Sequence, residues 1–545
     1  MNRSYLTLLI LLLPWTSNGQ SIYYDSLKKC FNTYYSNNNI DSALTTAKYL
    51  NSQELTINGY SKYLAESSFY IAKCFSKKQQ RDSSIFYLNS SLNILDSMKL
   101  EDINLYLKVK HNLGINYFYS RMPNKAILCF KYILDKTKKP VRKKNAIYFS
   151  SLKSLAIINR AIRRWSEAEY YIGEIINYNK RVYGINSIEY AFSVNELGLL
   201  FDSRENYSES IKCFNKSIEI LTKIGETKHK NYFFSINNLA NIYCEFGNYS
   251  KAEELYLHAM ESEYSKKAAS YNLGIIYHNI GLYKKAEKYL LDYQNYNINT
   301  IDEKITLNNA FGNLYRKLSN YSLAESYLIT ADSLASLHYD KTYIVMSKIN
   351  LALLYSDIGK YKEAEQQLIT AHAILKKDSV KDLGSLSAVF TNLSNLYYKG
   401  GNIDQAKIFS KKSLDIKKVL FGENSIEFAI NLKNYGSICD SIILLEKSLN
   451  IISEVYGENH ILSWSNLNNI GLRYIRKNEF KKARLFLLKA KAIIEDQHTV
   501  FKTKLSKIYY GLGKLEFSIG NMEAADLNYI KSLVIKKNHF FNSFF

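Results

Sequence analysis

The chain has 545 residues, 47% of them hydrophobic, and only three prolines. That leaves enough apolar material for a large buried surface. Its 72 Lys and Arg against 50 Asp and Glu give a formal charge of +22, while six scattered cysteines without paired spacing exclude a small disulfide-stapled scaffold.

The first residues form a segment of their own. Met1-Asn2-Arg3-Ser4 carries one positive charge, Tyr5 to Trp15 is an apolar core, and Ser17-Asn18-Gly19 is a small-x-small cleavage site. This pattern predicts a secretory signal peptide over 1–19, cleaved to leave Gln20 first, and so an exported, periplasmic or extracellular protein. The alternative is an uncleaved anchor, for which the apolar run is short. No later stretch is apolar and long enough to span a bilayer, and no cysteine follows the site to take a lipid.

Beyond it, Phe31, Tyr34 and Tyr35 followed by Ala43, Ala47 and Leu50 predict a weak helix pair over 20–62, a degenerate repeat or cap. A stronger signal then recurs: an apolar residue, a small one, and an aromatic three positions on, as in Leu113-Gly114 with Tyr117 and Phe311-Gly312 with Tyr315. The small residue falls at Ala72, Gly114, Ala156, Gly198, Ala240, Gly274, Gly312, Ala352, Ser394, Gly436, Gly471 and Gly513, most often 42 residues apart. A second small residue usually follows after twelve, as at Ala126, Ala286, Ala364 and Ala483, with a large apolar residue four later, as at Phe130, Leu290, Leu368 and Leu487. This is helical spacing, and it predicts two helices per repeat that cross closely at the small positions.

These positions resemble the tetratricopeptide repeat over roughly residues 63 to 538. The 42-residue step, with Tyr456-Gly457-Glu458-Asn459-His460 before Leu467-Asn468-Asn469-Ile470-Gly471, is similar to the longer kinesin-light-chain-type unit. Tyr183-Gly184-Ile185-Asn186 and Phe421-Gly422-Glu423-Asn424 repeat that loop, and the family's proline after the histidine is Ile461 here. The resemblance implies an all-α, right-handed superhelix of about twelve to thirteen repeats whose first helices line a concave, partner-binding groove.

Two departures bear on its organisation. After Gly436, Ser448 aligns with Ser413 only if seven residues are missing. The expected arrangement is therefore an array over 63–434, a shortened repeat over 435–460, read either as a shortened hairpin or as a break between two binding segments, and a further array over 461–538. A final apolar tail over 539–545 ends in Phe540, Phe541, Phe544 and Phe545. That ending resembles the junction between the repeats of secreted bacterial proteins and a downstream CHAT domain, a caspase-like protease module.

The search for chemistry is negative: the nine histidines never pair with a cysteine or another histidine at metal-ligand spacing, and no HExxH, CxxC or GxSxG occurs. No catalytic, metal or cofactor residue is expected, and the chain is read as a non-enzyme. Two candidate surfaces remain. Asn112, Asn238, Asn272, Asn350, Asn392, Asn434 and Asn469 stand two before the small residue, and Asn241, Asn313 and Asn395 one after it. Their amides either hold the backbone of an extended peptide in the groove or bond to neighbouring helices. Lys138, Lys139, Arg142, Lys143 and Lys144, followed by Arg163 and Arg164, are either a patch for an anionic partner or a solvated helix end. The expected partner is a protein or peptide, nucleic acid is disfavoured by the leader, and the oligomeric state is open. The function expected is an exported interaction scaffold, with the recruitment region of a CHAT-type protease as the alternative.

Overall fold

The computed structural model describes residues 17–57, 61–98, 103–137, 146–338, 340–376, 382–496 and 502–544. Among them every regular element is an α-helix, twenty-six in all. The odd-numbered ones are the first helices of the repeats: α1 (Ser17–Ser36), α3 (Lys62–Lys77), α5 (Ile103–Tyr119), α7 (Ala146–Ala161), α9 (Ile188–Ser203), α11 (Lys230–Glu245), α13 (Lys266–Ile280), α15 (Ile301–Lys317), α17 (Lys341–Asp357), α19 (Leu383–Lys399), α21 (Ile426–Ile438), α23 (Ser463–Arg476) and α25 (Lys502–Ile519). The even-numbered ones are the second helices: α2 (Ile40–Ile57), α4 (Arg81–Ser97), α6 (Pro123–Thr137), α8 (Trp165–Val182), α10 (Tyr207–Lys223), α12 (Tyr249–Ala259), α14 (Tyr283–Asn295), α16 (Tyr321–His338), α18 (Tyr361–Lys376), α20 (Ile403–Phe421), α22 (Ile442–Tyr456), α24 (Phe480–Asp496) and α26 (Met522–Phe544). The chain divides into two compact units after Arg204, so that unit 1 ends with α9 and unit 2 begins with α10.

The small residue sets the helix crossing. A Cβ on Gly312 would lie 2.5 Å from Leu328, one on Gly274 2.8 Å from Leu290, and one on Gly471 2.7 Å from Leu487. In these repeats, then, the second helix drives its large apolar residue, sixteen positions after the small one, onto bare backbone of the first. Leu290, Leu328 and Leu487 are fully buried there, and the cores of both units are chains of such contacts. Each full-length hairpin from Ala72 onward also turns at a residue with left-handed backbone seven after the small one. Glycine supplies it at Gly247, Gly281 and Gly359, while Gln79, Arg121, Arg163, Ser319 and Asn478 take the same conformation with a side chain. Side-chain caps start many helices, among them Asn206, Asn248, Asp382 and Ser425, and Thr300 forms a capping box with Glu303.

The aromatic of the repeated triplet joins one repeat to the next. In unit 2 the Tyr355 hydroxyl donates to Glu325 at 3.1 Å and Tyr315 to Glu287 at 2.5 Å, while Tyr277 and Tyr397 donate to Glu253 and Glu365. Each glutamate follows the second small residue of the preceding repeat. Burial and the acceptor carboxylate push these phenols up, Tyr397 to about 12, so the tyrosines stay protonated donors at neutral pH.

The missing seven residues are shared between two helices. α19 runs five residues past Ser394, whereas α21 stops two past Gly436; α20 starts ten before Ser413, whereas α22 starts six before Ser448. The turn moves with them, its left-handed residue being Asp440. Ser448 donates to the Ala429 carbonyl at 2.7 Å, as Ser91 does to Ala65 in the full-length repeat of α3 and α4. The shortened repeat is formed by α21 and α22. The division between compact units lies at Arg204.

At the ends, α1 and α2 form a helix pair that buries Tyr24, Phe31, Ala43, Ala47 and Leu50 against α3, with Lys28 paired to Glu66 at 2.7 Å. Residues 1–16 of the leader lie outside the described residues. The last helix continues through the 539–545 tail as far as Phe544. The six cysteines are unpaired, and no described helix is long and apolar enough to cross a membrane.

Gly312→Ala is expected to lower unfolding free energy by about 1–3 kcal/mol, because the added methyl overpacks Leu328; urea denaturation checks it. A double-mutant cycle of Tyr355→Phe with Glu325→Gln is expected to return a coupling of roughly 1 kcal/mol for the inter-repeat bond, and a coupling of zero would remove its role in holding neighbouring repeats together.

Candidate functional site

In unit 2 the array folds back on itself. The loop after α22 reaches the hairpin turn between α11 and α12: His460 Nε2 donates to the Phe246 carbonyl at 3.0 Å, and the Ile461 side chain fills the space that a Cβ on Gly247 would take. Glycine therefore serves twice at that turn, for its left-handed backbone and for the close approach. Tyr456 stacks on His460 with ring centroids 4.1 Å apart and meets Phe246 and Tyr207 at 5.2 and 5.6 Å. The Ile426 amide donates to Glu205 at 3.3 Å. Burial pushes His460 down to about 4, against the opposing effect of the carbonyl, so its ring is neutral at pH 7. With Nε2 donating, Nδ1 is left to accept the Leu462 amide at 3.3 Å.

Behind this closure is a cavity of about 600 Å³. First helices meet across it: α11 contributes Asn241, Cys244 and Glu245, α13 contributes Asn272, Ile275, Ile276 and Asn279, and α21 contributes Ile426, Glu427 and Ile430. Tyr207, Tyr249, Tyr256, Tyr456 and Leu462 complete the wall. Tyr256 donates to Asn241, and Asn272 donates to Asn237 at 3.3 Å. Among these lining residues the only charged groups are Glu245 and Glu427, and Glu427 Oε2 is buried without a hydrogen-bond partner. Tyr249 and Tyr456 are each pushed up to about 12, mainly by burial, with Glu245 adding to both.

The predicted asparagines separate into groups. Asn350 donates to Asn309 at 2.7 Å and Asn469 to Ser437 at 3.0 Å, which like Asn272 to Asn237 joins successive first helices. Asn112 and Asn392 each donate to the carbonyl four residues back in their own helix, at 2.9 Å. Asn238 and Asn434 are half-buried, Asn395 is exposed, and Asn313 keeps a buried oxygen without a hydrogen bond. Only Asn241 and Asn272 of the ten line the cavity. The partners Asn237 and Asn309, three before the small residue, were missed by sequence reasoning, although asparagine at that offset also occurs at Asn195 and Asn468. The cavity's phenols were missed as well: Tyr207 and Tyr249 are the first residues of α10 and α12.

Of the basic patch, Lys138, Lys139, Arg142, Lys143 and Lys144 lie outside the described residues. Arg163 occupies a hairpin turn, and Arg164 donates to Asn124 at 3.2 Å. A second group of cations sits on first helices of unit 2. Burial pushes Lys433 down, helped by Lys507; burial, Lys507 and Lys433 push Lys504 down to about 8; and burial, then Arg316, push Lys317 down, with Lys399 and Lys507 adding to it.

The comparisons with known proteins come to the same repeat. Tetratricopeptide repeat models match residues 195–262, 345–377 and 387–427. Over those residues the chain is built of tetratricopeptide repeats. A curated relative is the human intraflagellar transport protein 88 homolog, 26% identical over 249 residues, covering 39% of this chain. The chain spans 28% of that protein's length. Among solved structures it is similar to a Rap protein complexed with competence and sporulation factor (12% identity, 72% of this chain and 99% of that one, TM-score 0.45). Others are BtubC from P. vanneervenii (20%, 41% and 91%, TM-score 0.34) and a putative kinesin light chain of Podospora anserina (14%, 37% and 95%, TM-score 0.35). Tetratricopeptide repeats imply a protein–protein interaction scaffold.

The lysine group makes a pH prediction. Lys504 releases its proton near pH 8 when folded and near its ordinary 10.5 when unfolded. Between those values the unfolded chain binds more protons, so this group's contribution to stability rises with pH. Lys504→Met is expected to be more stable than the parent by about 1–3 kcal/mol at pH 7, with the gap narrowing by pH 9.5. Urea midpoints at the two pH values decide it, and a gap of constant size would contradict it.

Proposed function

We propose that this tetratricopeptide-repeat chain is an exported scaffold that holds a peptide or protein partner along the first helices of unit 2 and performs no chemistry of its own. The supporting observation is the 600 Å³ cavity, in which first helices of repeats far apart in the chain face one another. Its size suits a few side chains of an extended segment, and its wall alternates aliphatic surface with amides and hydroxyls able to orient a backbone. Asn241 and Asn272 are the two residues of the asparagine series placed to act on that segment. Export rests on the Met1 to Gly19 pattern. A second reading, recruitment of substrates to a CHAT-type protease module, rests on the phenylalanine-rich ending and shares the same partner-binding face.

The test is purification of the chain from its own cells, followed by mass spectrometry of its N-terminus and of crosslinked partners. The expected results are Gln20 as first residue and a protein crosslinked to α11, α13 or α21, with recovery reduced at least tenfold by Asn241→Ala combined with Asn272→Ala. An intact Met1 would overturn export. Unchanged crosslinking of the double variant would overturn the site.

A further inference from the structure

The wall of the unit 2 cavity has a charge opposite to that of the chain. The protein carries 72 Lys and Arg, yet the lining residues are two carboxylates, amides, phenols and aliphatic groups. Glu427 is the centre of the imbalance: Ile426 and Ile430 flank it on α21, and its Oε2 is buried with no donor. A buried carboxylate oxygen in that state is a poor end point for folding unless something else supplies a donor.

Rings in and beside the same cavity fit a particular donor. Tyr207 and Tyr456 stand 5.6 Å apart and Phe246 closes their edge, while Tyr249 lines the same cavity. Aromatic faces beside a carboxylate attract an ammonium or guanidinium, and the aliphatic stem of lysine or arginine is matched by Ile275, Ile430 and Leu462. Glu205 and Glu245, together with Glu427, act on the Tyr456 phenol in the direction that resists its ionisation, which places all three within electrostatic reach of one ring. The cavity is therefore negative as well as aromatic.

We infer that this cavity is a cation pocket that takes the side chain of an arginine or lysine from an extended peptide, with Glu427 as its counter-ion and the surrounding tyrosines as its walls. The inference rests on the scaffold reading for the peptidic source of the cation, while the chemistry of the pocket stands apart from it.

The experiment uses the intact chain and defined probes, read by saturation-transfer NMR and titration. The blocked pentapeptides acetyl-Gly-Gly-Arg-Gly-Gly-amide and its lysine counterpart are expected to bind. The citrulline version, equal in shape to the arginine peptide but neutral, is expected to bind at least tenfold more weakly. Glu427→Gln, which keeps shape and removes charge, is expected to erase the difference between arginine and citrulline, and Glu245→Gln to reduce it. Equal binding of the citrulline peptide, or an arginine preference that survives Glu427→Gln in a protein with an unchanged unfolding midpoint, would overturn the inference. Spermidine is the free-amine arm: binding of spermidine without either peptide would overturn the peptidic source. Because these probes require no native partner, failure here is distinct from failure to crosslink one.

Discussion

Two helices can approach closely only where one of them lacks the side chain that would hold them apart, and this protein repeats that constraint along its length. Gly274, Gly312 and Gly471 present bare backbone to Leu290, Leu328 and Leu487, and the depth to which each leucine sinks sets the distance within the hairpin. Once that distance is set, the aromatic three residues on lies against the preceding second helix, where a glutamate accepts its hydroxyl. The packing within a repeat is mainly apolar with a few polar bonds such as Ser448 to Ala429, and polar bonds also join neighbouring repeats. A solenoid has no central core to enforce its geometry, so these nearest-neighbour contacts do that work.

The shortened repeat shows how tightly the constraint binds. Three residues lost from α21 and four from α22 remove the distal end of the hairpin, yet Gly436 still faces α22 at Leu444 and Leu445, and Ser448 still bonds across to Ala429. The crossing survives because the deletion falls beyond it. The α21 helix of the same repeat also faces α11 and α13 across the cavity, and the His460 loop that follows α22 fastens that approach.

The candidate site depends on this long-range closure. Phe246 and His460 are 214 residues apart in the chain, and Glu427 gains its significance from Tyr207 and Tyr456, which no periodicity sets beside it. Unit 2 thereby joins surfaces of unlike character: a cavity walled by phenols and carboxylates, and a group of lysines whose ammonium groups are pushed down by burial and by one another. A partner recognised by both would need its own charges in a matching order.

The repeat architecture was legible in the residues because each unit solves the same local packing problem. Gly312 with Leu328, or Gly471 with Leu487, recurs at a fixed separation, and the helix period places both on one face. The asparagines were legible as a series, but their bonds were not. Asn350 and Asn112 hold the same repeat position, yet one reaches Asn309 in the preceding repeat and the other its own helix, since the choice depends on which partner the neighbouring helix offers. The seven-residue deletion could be counted from the sequence, while its division between α21 and α22 could not. Local spacing determines helices, crossings and turns, because those contacts span a few tens of residues. Only the tertiary structure decided that His460 would meet Phe246 and that Glu427 would share a cavity with Tyr207 and Tyr456, because small rotations between successive repeats accumulate along the array and no single repeat records their sum.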